Sequence, residues 1–276
     1  MANMLAIYSL SIFASTIYAA LLSVLGCHLA ARDRSMQSLC IGQGAMLGAL
    51  LGIGVAQQLG SSELQEAVYP FFTAVLASLL AFSFSEKFLG KKTASRNTYF
   101  ASVFSVLLAS SYLVSSLFPA LEGHMAQRYF GDLATISDAE AMTVAGMGSL
   151  ALALLFLKWK SITRDSFDAA ILGREAITLT SLFGVLSMLV IALSVQVLGF
   201  LFTISCLFLP TTFMSRCSRP GLWRHVLSCL VVAGLSSATG FILSIYLSTV
   251  PTVPTIVLTM AVLASGAAWL HKLRCS

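Results

Sequence analysis

The sequence predicts an all-α integral membrane protein of about nine transmembrane helices, and three observations lead there. Of its 276 residues, 58% are hydrophobic and only 10% are charged. A soluble domain carries roughly a quarter charged residues, so this chain has too little polar surface to cover a water-facing fold, and lipid must act as part of its solvent. Apolar stretches near the length that crosses a hydrocarbon core, about 20 residues, recur nine times. Finally, the basic residues collect in alternate connections. Together these exclude a soluble multidomain architecture and read as one membrane domain over 1–276.

The first stretch, 6–30, follows a start without Lys or Arg. A secretory signal has a positive leading region and a short apolar core, so this run is expected to stay as a span. Arg32 and Arg34 follow it. The second stretch, 37–59, is rich in small residues, with Gly44, Gly48 and Gly52 at i, i+4, i+8 on one helical stripe. Such a stripe lets another helix backbone approach closely. It also suits a pathway-lining helix with exposed carbonyls, and Cys40 and Gln43 lie near it. The third and fourth stretches, 67–86 and 97–118, flank a connection holding Lys87, Lys91, Lys92 and Arg96. The fifth, 139–157, leads into Lys158, Lys160, Arg164 and Arg174.

The sixth and seventh, 176–196 and 198–214, are separated only by Val197 to Gly199. One broken element with a re-entrant piece is the alternative, which allows eight to ten spans. Pro210 lies inside the seventh, where it would kink a helix and free a carbonyl; broken helices line cavities in transporters. The eighth, 225–248, is preceded by Arg216, Arg219 and Arg224. Pro251 and Pro254 open the ninth, 252–270, which ends at Lys272 and Arg274.

Of the 16 Lys and Arg, all but Arg128 fall on one side of this scheme. With nine spans that places the N-terminus outside and the C-terminus in the cytoplasm; an even count would put the N-terminus inside. The net charge of +5 is thus a matter of topology, and no nucleic acid partner is implied. Outer connections are acidic, with Glu63, Glu66, Glu122, Asp132, Asp138 and Glu140. They either solvate the loops or draw in cations, and Glu122, His124 and Asp132 are the candidates for an outer cation-collecting site.

The span interiors hold no Asp, Glu, Lys or Arg, and no HExxH occurs. This argues against a proton-driven carrier and an intramembrane metalloprotease. Energy should enter from a partner. The six cysteines show no CxxC or other metal-ligand spacing and read as small hydrophobes between helices. His28, His225 and His271 fall at the cytoplasmic ends of spans and His124 in the outer loop. No tight, fully coordinated metal site is therefore expected within the membrane.

The longest cytoplasmic connection is 158–175. Asp165 or Ser166 could cap a short helix there, with Phe167, Ala170 and Ile171 on one face and Gly173 as a left-handed end. Such a helix could lie in the lipid interface or dock into a groove of another protein.

Four segments carry a family resemblance. Arg164-Asp-Ser-Phe-Asp-Ala-Ala-Ile-Leu-Gly173 resembles the coupling segment of permease subunits in the zinc/manganese group of metal ABC transporters. Tyr129-Phe-Gly-Asp-Leu133 is similar to that family's LFGD segment, and Gly199 to Pro210 to its G-x-L-L-x-x-A-L-L-x-x-P span. Pro254-Thr-Ile-Val-Leu258 is similar to its last span. In this order they cover most of 37–265. The resemblance implies a helical-bundle ABC importer permease in a bacterial inner membrane. It would work as a homodimer with two cytoplasmic ATPase subunits and an external solute-binding protein. Arg164, Asp165, Phe167, Asp168, Ala169 and Gly173 would face the ATPase. Cys40, Gln43, Gly44, Gly48 and Pro210 would border the pathway of a divalent metal ion, zinc first, with manganese or iron as alternatives. No phosphate-binding loop is present, so no cofactor is expected in this chain and ATP would be bound by the partner.

The departures from the family bear on the cargo. Its second span carries an Asp followed four residues later by His, where this chain has Leu39 and Gln43. The Asp and Gly usual before the family's P-T-I-V-L segment are replaced by Thr249 and Val253. A permease for a metal chelate or vitamin, or a membrane assembly protein without transport, are the other readings.

Overall fold

A computed structural model describes residues 7–59, 63–86, 93–118, 121–131, 133–134, 136–172, 182–215, 221–247 and 250–275. Among them there are only helices: α1 (Ser9–Ala31), α2 (Ser35–Gln58), α3 (Glu63–Glu86), α4 (Thr93–Leu117), α5 (Glu122–Phe130), α6 (Asp138–Leu157), α7 (Trp159–Leu172), α8 (Leu182–Leu198), α9 (Phe200–Met214), α10 (Leu222–Leu247) and α11 (Thr252–Cys275). Among the described residues, each of the nine apolar stretches holds one helix. Six of these are long and apolar enough to cross a membrane, and α8, α9 and the apolar part of α11 are shorter. The remaining two, α5 and α7, lie in the connections before and after α6.

The boundary between the sixth and seventh stretches is a single residue. Gly199 has φ +93°, and its N–H donates to the Ser194 carbonyl at 3.2 Å. Glycine enters this left-handed region without a Cβ penalty and so ends α8 cleanly. The two stretches are thus separate helices, α8 and α9.

The chain packs as two compact units. Unit 1 comprises Met1–Ala30, Phe130–Thr163 and Leu201–Ser276, and unit 2 comprises Ala31–Tyr129 and Arg164–Phe200. The sequence gives no hint of this division, because both units are apolar throughout. In unit 2 the α2 glycines are the seam against α3. A Cβ on Gly48 would lie 2.6 Å from that of Ala77, and one on Gly52 would lie 2.7 Å from Pro70 Cα. On the other sides of these helices, Phe72, Leu76 and Leu80 of α3 and Val106 and Leu113 of α4 stand exposed. A soluble fold would bury such a set; lipid or another apolar surface can cover it.

Candidate transport and coupling sites

The α2 residues singled out from sequence all lie inside unit 2. Cys40 is fully buried, donates to the Phe100 carbonyl at 3.2 Å, and packs with Tyr99, Val103 and Phe104. Gln43 is also fully buried. Its Nε2 donates to Ser111 Oγ at 3.2 Å, while its Oε1 has no hydrogen-bond partner among the described residues. A buried amide oxygen without a donor is uncommon, and Gln196 Oε1 is in the same position among the described residues. Gly44 and Gly48 face α3, so the contacts show the packing reading of the stripe. Pro210 is buried inside α9, which continues through it to Met214. Thr211 Oγ1 donates back to Leu207 O at 2.9 Å, in the turn where Pro210 lacks an N–H.

The coupling segment is helical, but its start differs from the expectation. α7 begins at Trp159, and the Ile162 N–H reaches the Lys158 carbonyl at 3.0 Å. Asp165 and Ser166 are therefore interior positions, not caps. The chain leaves α6 through one turn residue and resumes helix at once, so the cap signal acts nowhere. Ser166 has another use: its Oγ accepts from Arg32 Nε at 3.0 Å. The guanidinium of Arg32 stands 4.4 Å from the Phe183 ring centroid. Burial draws Arg32 down from 12.5 to about 10, and the carboxylate of Asp165 opposes this. Arg34 Nη1 donates to Gln37 Oε1 at 3.2 Å, and Gln37 Nε2 to Ser85 Oγ at 2.7 Å. Two buried arginines of one turn thus touch α7 and α8 on one side and α2 and α3 on the other, all within unit 2.

The opposite face of α7 is open. Lys160, Arg164, Phe167 and Ile171 are exposed, and their spacing of four, three and four residues sets them in one stripe. Asp165, Asp168 and Ala169 are half-buried beside it. Gly173 lies outside the described residues.

Of the outer candidates, Glu122 is exposed and His124 half-buried on α5. Two residues apart on a helix, they point to different faces. Glu122 in the first turn and Arg128 in the last also match the helix dipole, which accounts for them locally. Asp132 lies outside the described residues. Glu140 has a structural use: with Ser137 it forms the capping box of α6.

Sequence reasoning missed one assembly. Cys27 of α1 and His225 and Cys229 of α10 bring their ligand atoms within 4.8 Å of one another, in unit 1. The H-x-x-x-C spacing on one helix face was the readable half of it; its pairing with Cys27 was not.

A sequence profile of the ABC 3 transport family matches residues 4–271. No curated protein matches the chain. Among solved structures it is similar to PsaBC from Streptococcus pneumoniae in complex with Fab, with TM-score 0.72 and 20% identity over 92% of this chain and 88% of that one. It is also similar to a metal-chelate type ABC transporter in an inward-facing conformation, with TM-score 0.67 and 17% identity over 96% of this chain and 85% of that one. These likenesses are likenesses of fold, and they agree with the nine apolar helices described above. The profile spans nearly the whole sequence, and the chain belongs to the ABC 3 transport family.

Proposed function

We propose that this chain is the membrane permease of an ATP-driven importer for a divalent metal ion, with zinc as the first candidate. The carrying observation is α7. One face holds Ile162 and Ser166 buried, the latter bonded to Arg32. The other presents Phe167 and Ile171, 61% and 62% exposed, following the exposed cations Lys160 and Arg164 along the same stripe. An amphipathic helix fixed on its inner face and open on its outer face suits docking into a groove of a cytoplasmic partner. That partner is the ATPase subunit, which binds the ATP. Two permease copies, two ATPases and an external solute-binding protein make up the working assembly in a bacterial inner membrane.

The metal reading rests on the family and on Gln43. Its buried, unpartnered Oε1 is an oxygen ligand at the position where the family carries His. One amide oxygen favours brief contact over tight capture, which suits a cation in passage. The departure at Leu39 and Gln43 also keeps a chelate cargo in play, because a chelate brings its own ligands.

Uptake by the reconstituted complex tests both parts. Phe167→Asp should abolish transport and ATPase stimulation while membrane insertion persists; full activity would remove α7 from the docking role. Gln43→Leu should lower uptake of free zinc with the complex intact. Unchanged zinc uptake in Gln43→Leu moves the path off α2, and uptake only of a chelated metal makes the chelate the cargo.

A further inference from the structure

We propose that Cys27, His225 and Cys229 form a resident zinc site in unit 1, at the cytoplasmic ends of α1 and α10 and separate from the transport path. The geometry suits a tetrahedral ion. With Zn–S of about 2.3 Å and Zn–N of about 2.0 Å, neighbouring ligand atoms in a tetrahedron lie about 3.5–3.8 Å apart. Cys229 Sγ and His225 Nε2 are 3.7 Å apart, and all three ligand atoms lie within 4.8 Å. Four residues apart on α10, His225 and Cys229 share one helix face. The approach of α1 is fixed by Gly26, whose missing Cβ leaves room for the Leu207 backbone of α9. The neighbours in sequence are aromatic: His28 packs on Trp159 with centroids 5.2 Å apart, and Trp159 on Trp223 at 4.9 Å.

The donor set selects the ion. Two thiolates and an imidazole suit zinc or copper(I) and disfavour manganese, magnesium or calcium. Cys27 and Cys229 are buried, so net charge decides further. Zn²⁺ with two thiolates and a neutral imidazole sums to zero, whereas Cu⁺ leaves one buried negative charge, which is unfavourable in an apolar setting. Binding releases the two thiol protons to solvent. The protein supplies three ligands, and a tetrahedral zinc takes a fourth from water. The site would tie α1 to α10 within unit 1.

The test uses the purified full chain, reduced, in lipid nanodiscs, with Co²⁺ as spectroscopic probe and Zn²⁺ as competitor. The expected result is a thiolate-to-cobalt charge-transfer band, displaced by one Zn²⁺ per chain, with a zinc-dependent rise in Tm. Cys229→Ser should lose the band and weaken zinc at least about 100-fold. His225→Gln, at a half-buried position that tolerates change, should weaken zinc likewise while unfolding normally without metal. Cys40→Ser and Gln43→Leu should leave the band intact, which separates this site from the proposed path. The proposal is overturned by absence of the band in the unaltered chain, by its survival in the Cys27→Ser, Cys229→Ser double variant, or by binding of Cu⁺ alone. Isolation of a Cys27–Cys229 disulfide from reducing cytoplasm would overturn it too.

Discussion

Arg32 carries a charge into a buried place and is held there by three different contacts. Its Nε donates to Ser166 Oγ, its plane lies near the Phe183 ring, and Asp165 favours its charged form. Lysine could supply the charge but not the planar fork or the stacking. Arg32→Lys should therefore reduce transport and ATPase stimulation several-fold with near-normal insertion, and Ser166→Ala should do so more weakly. Equal activity of Arg32→Lys and the unaltered chain would show that the Arg32–Ser166 link transmits nothing. A basic group lowered to about 10 is protonated more readily in the unfolded chain, so its burial opposes folding at every pH below that value. Stability gains from Arg32 begin only as pH rises past about 10. Between neutral pH and that point, this residue should give unfolding curves no pH slope.

At the scale of elements, the α2–α3 seam makes the sharpest mutational contrast. A Cβ at Gly48 meets the Thr73 carbonyl and Ala77 Cβ, whereas one at Gly54 meets only Leu121 Cδ1 at 3.5 Å, an ordinary contact. Gly48→Ala should destabilise by about 1–3 kcal/mol through overpacking, and Gly54→Ala should be near neutral; thermal unfolding in detergent reads both. Similar values for the two would mean that the seam yields. The helices themselves were legible in the sequence, because an apolar run of span length has no other stable form in lipid. What the sequence hid was register between helices. Gln43 meets Ser111 across 68 positions and Arg32 meets Ser166 across 134, and no local pattern encodes either. Local signals also misled at Asp165 and Ser166, because the helix already begins at Trp159 and leaves them interior. The Ser137-x-x-Glu140 box, by contrast, was readable by spacing alone and was passed over as loop acidity. The metal-type site failed in the same way as the register, since His225 and Cys229 announce only two ligands until α1 is placed.

At the scale of the whole molecule, topology follows from counting crossings, and α6 is the decisive one. Its 20 residues rise about 30 Å, the thickness of a hydrocarbon core. It begins at the capping box after α5 and ends one residue before α7. α5 and α7 must then emerge on opposite sides of the membrane. By the positive-inside rule, the basic residues clustered around α7 predict a cytoplasmic α7 and an outer α5. Glu122 and Lys160 are both exposed, so each can carry a reporter thiol. The native Cys27, Cys40, Cys206 and Cys229 are buried and can remain; Cys217 and Cys275 would be replaced by Ser. In intact cells a membrane-impermeant maleimide should label Glu122→Cys and spare Lys160→Cys, and inverted vesicles should reverse the pattern. Labelling of Lys160→Cys from outside would invert the orientation and place α7 beyond reach of any cytoplasmic ATPase. Labelling of both positions from one side would mean that α6 does not cross, and the count of nine spans would fall with it.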